Sequence, residues 1–201
     1  MTLISDPIRT ELAHAYAASD RHYHGLHHIE ALLGLAEAHA DAIADRDVVE
    51  AAIWFHDAIY DTRRHDNEDR SADLAAARLA GTATPDRVAR IAAMIRATAG
   101  HRVPDFRDAS ATQDCALFLD MDLAILGAPA MDFDAYEAAV RREYEWVSEP
   151  QWRAGRRAVL AGFLARPTIY ATKQFRASHE AAARRNIARA MTRLDRDAPA
   201  G

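Results

Sequence analysis

Almost nothing in these 201 residues can hold the chain together covalently. Cys115 is its one cysteine, so no intrachain disulfide can form. A chain of this length can bury a hydrophobic core without such staples. Cys115, followed by Ala116, Leu117 and Phe118, reads as an inert core thiol. Lysine is nearly missing too: Lys173 stands alone, and the other basic residues are arginines scattered without a block. With a net charge of −5, that pattern leaves no electrostatic footprint for nucleic acid. No apolar run approaches the roughly 20 residues of a membrane span, and no signal-peptide pattern opens the chain. A cytoplasmic protein with no membrane partner is expected. Also lacking are a phosphate-cradling glycine loop, a dinucleotide fingerprint, HExxH and a serine or cysteine triad.

What is present is apolar periodicity near 3.6 from end to end, with no convincing alternating strand. Asp6 before Pro7 starts a helix to about Ala18. A second runs from about His24 to Ala44, and a third from about Arg46 to His56 or Asp57. After the polar stretch Thr62 to Glu68, a helix from about Asn67 stops near Ala80 at Gly81. Thr84-Pro85-Asp86 opens the next, which Gly100 closes. A buried-looking helix covers about Ala111 to Leu126, and Asp132 caps another. Two more span about Glu149 to Ala165 and Gln174 to Leu194, before a tail from Asp195 to Gly201 that should fray. The expectation is one all-α domain over residues 1–201, a bundle of eight or nine helices. Its core would lie in about 22–127 and further helices in about 132–194. The apolar faces of the last helices leave room for a homodimer.

Three apolar segments carry histidine or aspartate. They are Tyr23-His24-Gly25-Leu26-His27-His28, Ile53-Trp54-Phe55-His56-Asp57-Ala58-Ile59-Tyr60-Asp61-Thr62, and Phe118-Leu119-Asp120-Met121-Asp122-Leu123. Charged groups are seldom buried unless paired or bound to metal. Taken singly, each histidine is more readily a satisfied core or capping residue; three such clusters together point to one shared metal site. His24 and His28, four apart, would project from one helix face. Adjacent residues diverge by about 100°, so His56 and Asp57 can reach one ion only at a helix end. Asp120 and Asp122 lie about 200° apart, and spacing does not choose between them. A His/Asp set without thiolates suits Mn, Mg, Fe, Ni or Zn, one ion or two.

The order His28, His56-Asp57, Asp120 or Asp122 resembles the H…HD…D signature of the HD-domain metal-dependent phosphohydrolases. Tyr23 to His28 is similar to the YHNxxH stretch of cyclic nucleotide phosphodiesterases in that superfamily. That likeness implies His28 as a metal ligand and His24 as the general acid. His56 to Thr62 resembles the HDxxEDT segment of guanosine tetraphosphate hydrolases, where an acidic pair positions water. Tyr60 stands in place of the first acid here, leaving Asp61, with Glu68 as a second water-orienting candidate. Nearly end to end, the chain is similar to a bacterial group of predicted HD phosphohydrolases. The shared patterns are YHxLxHI at Tyr23 to Ile29, WFHDxxYD at Trp54 to Asp61, NExxSA at Asn67 to Ala72 and FLDxDLxILG at Phe118 to Gly127. Arg142-Glu143-Tyr144 and the RxN at Arg184 to Asn186 complete them.

The resemblance implies an HD-type helical fold and hydrolysis of a phosphoester or phosphoanhydride, with a nucleotide or small phosphorylated metabolite as substrate. In two-metal members a histidine placed like His101 binds a second ion; a plain helix C-terminal histidine is the alternative. Arg64, Arg70, Arg142 and Arg184 are candidate phosphate contacts, although solvated faces explain most such arginines. Tyr136, Tyr144 and Trp146 could wall a nucleobase site or pack in the core. Two other functions stay open. One is an HD-fold di-iron oxygenase, which needs about six protein ligands and so His101 plus another histidine. The other is a non-catalytic module that binds a nucleotide or metal.

Overall fold

Residues 2–196 are described by a computed structural model. The chain is all-α: among the described residues there are nine α-helices, two short 3-10 segments and no strand. The end of the expected tail, residues 197–201, lies outside the described residues. The chain forms two compact units, one through Asp122 and one from Leu123. The boundary falls where an α-helix tightens into a 3-10 segment, so no proline- or glycine-rich linker announces it.

The first unit contains α1 (Asp6–Tyr16), α2 (Leu26–Ala38), α3 (Arg46–Phe55), α4 (Asn67–Leu79), α5 (Pro85–Ala97) and α6 (Ala109–Asp122). Helix α3 is its axis. Val48, Val49 and Ala51 through Phe55 are all buried, and a helix that is apolar nearly all round belongs inside a core. It packs against α1, α2, α4, α5 and α6. Its start is held from two sides. Asp45 accepts from the Val48 amide at 3.3 Å as a cap, and Arg87 of α5 donates to Asp45 at 2.9 Å. The buried carboxylate of Asp114, in the second turn of α6, accepts from the amides of Ala44 and Asp45 at 2.8 and 2.9 Å.

Several boundaries differ from the sequence reading, each for a local reason. Ser5, not Asp6, occupies the cap of α1. Helix α2 starts at Leu26 rather than His24, because Gly25 is extended (φ −108°, ψ −173°). A Cβ at Gly25 would lie 3.3 Å from the Tyr16 carbonyl oxygen, so the chain crosses close to the end of α1 there. His24 is therefore not a helical neighbour of His28. At its other end α2 stops at Ala38, and Ala40–Ala42 forms a separate 3-10 turn. Gly81 follows α4 with φ 78°, a conformation that glycine adopts without strain.

The second unit contains the 3-10 segment Leu123–Gly127, α7 (Ala130–Glu143), α8 (Glu149–Leu164) and α9 (Lys173–Arg196). Pro129, not Asp132, precedes the first turn of α7, and its carbonyl accepts from the amides of Asp132 and Phe133 at 3.0 and 3.1 Å. Helix α9 packs against the 3-10 segment. Asn186 donates to the carbonyls of Leu126 and Ala128 at 3.0 and 2.9 Å. Arg184 bonds Glu180 at 2.7 Å and the Arg166 carbonyl at 2.8 Å. The RxN pattern is thus a device that ties α9 to its surroundings.

Gly127 is where α9 comes nearest. A Cβ there would stand 2.7 Å from His179 Cβ and 2.9 Å from the His179 carbonyl oxygen, part of which is backbone and cannot swing away. Gly127→Ala should destabilise the protein by about 1–3 kcal/mol, seen as a lower thermal midpoint, whereas Gly162→Ala, which meets nothing within 4 Å, should not.

Candidate metal centre

The site is built where helices of the first unit end. His28 is the third residue of α2 and buried. His56 is the residue after α3, still helical in backbone (φ −58°, ψ −38°), and its amide bonds the Ala52 carbonyl at 3.0 Å. Asp57 follows as the chain leaves the helix. Asp122 is the last residue of α6. Because Asp114 meets the start of α3 and Asp122 meets its end, α3 and α6 run in the same direction. Both C-terminal ends, the negative poles of their dipoles, therefore lie at one place, which favours a cation there.

The ligand-type atoms of His28, His56 and Asp122 all lie within 4.8 Å of one another. His28 Nε2 is 3.1 Å from Asp122 Oδ1 and 3.3 Å from His56 Nε2. His56 Nε2 is 3.1 Å from Asp57 Oδ2 and 3.6 Å from Asp122 Oδ1. On its other side, the His56 Nδ1–H donates to the Ile53 carbonyl at 2.9 Å. That bond fixes the tautomer and turns the Nε2 lone pair of a neutral ring inward. Tyr23 and Phe118 pack against the imidazoles, with ring centroids 4.9 Å from His28 and 5.8 Å from His56.

The electrostatics follow from this crowding. Burial alone would push the His56 pKa down, but the carboxylates of Asp57 and Asp122 outweigh it and raise it well above the ordinary value. At His28 burial prevails over Asp122, and the pKa falls. Burial would raise Asp122, yet hydrogen bonds from His101, His28 and His56 hold it well below the usual carboxylate range. Asp57 is likewise lowered against the effect of burial, chiefly by His56. The cluster thus sets two largely covered carboxylates against the imidazole of His56, and each favours the charged form of the other. The inward nitrogens of His28 and His56 with the Asp122 carboxylate form a three-residue group that could hold a divalent ion, and Asp57 stands beside it against His56. The mixed nitrogen and oxygen donors suit Mn, Fe, Ni or Zn better than an ion that wants oxygen alone.

Spacing left Asp120 and Asp122 equal; the geometry brings Asp122 to the histidines. Asp120 is buried within α6 and is not a member of the three-residue group. His101 Nε2 reaches Asp122 Oδ2 at 2.8 Å. It does so from a left-handed backbone (φ 44°), which costs energy for a residue with a Cβ. His24 lies in the loop before α2, stacked on Tyr60 at 4.5 Å, with its ring 6.1 Å from that of His28.

Asp61 is exposed, and its carboxylate accepts from the Arg63 amide at 2.9 Å. Glu68 is half-buried in the first turn of α4. Its neighbours explain the NExxSA pattern. Asn67 exchanges two hydrogen bonds with the Asp61 backbone at 3.1 and 2.9 Å, and buried Ser71 does the same with Ile59 at 3.0 and 3.3 Å. Together they hold the chain just after the His-Asp pair. Among the candidate phosphate contacts, Arg64 pairs with Asp66 at 2.6 Å on the surface and Arg142 is exposed in the second unit. The proposed aromatic wall is also there: Tyr136 accepts from Arg156 at 2.8 Å, Tyr144 packs on Trp152, and Trp146 is exposed. Asp114 and Arg21 were missed in the sequence, because most of their partners are backbone groups far along the chain and leave no spacing signature.

Compared with protein-family models, curated proteins and solved structures, the chain has no significant match.

Two outcomes are expected from this geometry. Asp122→Asn should weaken Mn or Ni binding by more than about tenfold, while Asp120→Asn should leave metal uptake intact; calorimetric titration of each variant decides. Since His56 must give up its proton, binding should release about one proton per ion. Apparent affinity should then rise about tenfold per pH unit from below 6.5 until the raised His56 pKa is passed, and level off above it.

Proposed function

We propose that this chain is a metal-dependent phosphohydrolase of the HD superfamily, cleaving a phosphoester or phosphoanhydride bond in a nucleotide or small phosphorylated metabolite. The observation that carries the reading is one convergence. His28, His56 and Asp122 come from three distant segments in the order of the H…HD…D signature and meet in one cluster, with Asp57 against His56. His28, His56, Asp57 and Asp122 would hold the ion. When bound, a divalent ion supplies a more acidic water and a positive charge against a phosphoryl oxygen.

The chain's own residues supply the rest. His101 occupies the second oxygen of Asp122 and so fixes the carboxylate plane. The Ile53 carbonyl does the same for the His56 ring. His24, stacked on Tyr60 with its ring 6.1 Å from that of His28, would act as the acid that protonates a leaving oxygen. Of the two acids suggested for orienting water, half-buried Glu68 is less committed than Asp61, whose carboxylate caps its own loop. One observation keeps the oxygenase in view: His101 on Asp122 adds a third histidine to the cluster.

Elemental analysis of wild type beside His56→Ala/Asp57→Ala, then a phosphatase screen with added Mn, Mg, Ni and Fe, tests the function. Stoichiometric metal that the double variant lacks, with metal-dependent phosphate release, is expected. Two irons per chain without phosphate release would replace the reading by the oxygenase; ligand-induced stabilisation without turnover would replace it by a binding module. No metal after repletion would make the histidines structural. Within an active enzyme, His24→Gln should keep its metal and lower kcat by about 10²–10⁴.

A further inference from the structure

Arg21 stands three residues before His24, in a loop, and its guanidinium is not spent on solvent. It donates to three backbone carbonyls on two sides: His24 at 3.0 Å, Asp57 at 2.6 Å and Ala58 at 3.0 Å. Its carbon also lies over two aromatic rings, 5.0 Å from the Tyr16 centroid and 5.4 Å from that of Tyr60. Tyr16 is itself anchored two residues ahead of His56, donating to the Trp54 carbonyl at 3.0 Å. Tyr60 in turn stacks on His24, centroid to centroid 4.5 Å with planes 28° apart.

We infer that Arg21 is a positioning residue that locks the His56-Asp57 turn and the His24 loop into one rigid unit. The turn needs such a lock. Asp57 sits where α3 has ended, so no helical hydrogen bond fixes its carbonyl or that of Ala58. On their N–H sides these two peptide units bond the Phe55 carbonyl and Ser71, and Arg21 fixes the carbonyl sides of the turn that carries the Asp57 side chain. His24 lies before α2 begins, with the same lack of helical restraint. A planar fork of five donors can satisfy three carbonyls at once and still lie flat against tyrosine rings. Lysine offers one compact ammonium and cannot span them. Tyr60, at the position where the resembling segment has an acid, acts here through its ring, as the surface against which both Arg21 and His24 rest.

The inference takes from the proposed function that Asp57 and His24 serve one metal-assisted reaction, and its test separates the two. The full chain is prepared as wild type, Arg21→Lys and Arg21→Gln, with Arg78→Lys as a control, since Arg78 pairs with Glu11 on the surface. Amide exchange is followed in metal-free protein at Ala58, whose N–H bonds the Phe55 carbonyl, and at Ile59, whose N–H bonds Ser71. Cobalt(II) affinity and the visible band of the cobalt-loaded protein are measured in parallel. Both Arg21 variants should exchange about tenfold faster at Ala58 and Ile59, the factor that loss of one charge-assisted hydrogen bond produces, with mid-helix amides of α3 unchanged. Cobalt affinity should fall about ten- to a hundredfold with a shifted band, and the control should match wild type.

Wild-type exchange and cobalt binding in Arg21→Lys would overturn the inference. So would faster exchange throughout the first unit, or failure of both variants to fold, because either describes a general stabilising role. A wild type that takes up no cobalt would sink the metal reading, and the exchange data would still decide the role of Arg21.

Discussion

The first unit depends on how it accommodates the carboxylate of Asp122. Asp122 closes α6 at a helix C-terminus, where the dipole disfavours negative charge, and its side chain is only 11% exposed. An unpaired carboxylate in that place would cost several kcal/mol. The fold answers with imidazoles from three directions: His28 from the start of α2, His56 from the end of α3, and His101 from a left-handed turn after α5. Each of those helices must arrive at a set angle for its histidine to reach. The polar cluster thus constrains the packing of the apolar helices around it, as well as being held by them.

Helix α3 carries that constraint to the other end of the unit. Asp114 grips its start, through the amides of Ala44 and Asp45, eight residues before Asp122 meets its finish. Two rigid helices fixed at both ends leave little freedom in the gap between His56 and Asp122. Such fixity is what a metal or catalytic constellation needs, since an error near 1 Å is enough to spoil it. The loops beyond the helix ends are restrained by different means. Asn67 and Ser71 hold residues 59 to 61 from one side, and Arg21 holds residues 57 and 58 from the other. The polar residues surrounding the His-Asp pair are mostly occupied with backbone, which explains why so many of them look functional in sequence.

Much was legible beforehand. The 3.6-residue periodicity, the Pro85 and Gly81 punctuation and the absence of strand patterns gave an all-α chain, because helix formation answers to local side-chain spacing and capping. The same locality made His56-Asp57 readable as a helix-end pair. Where reading failed, the cause was a backbone partner distant in sequence. Gly25 approaches the Tyr16 carbonyl and thereby keeps His24 out of α2. Asp122 and Leu123 sit in one uninterrupted helical run, so no linker marks the boundary between the two units.

The sequence by itself determined the helices and the supply of nitrogen and oxygen ligands, since both are properties of residue type and short-range spacing. Only the tertiary structure decided that Asp122 rather than Asp120 faces the histidines, that His101 joins them, and that Arg21 binds the turn beside them. Residues two apart on a helix point in very different directions, and which direction is inward depends on how α6 rotates against α3. That rotation is set by packing and by Asp114, contacts that span some 70 positions of chain and cannot be read from any local pattern.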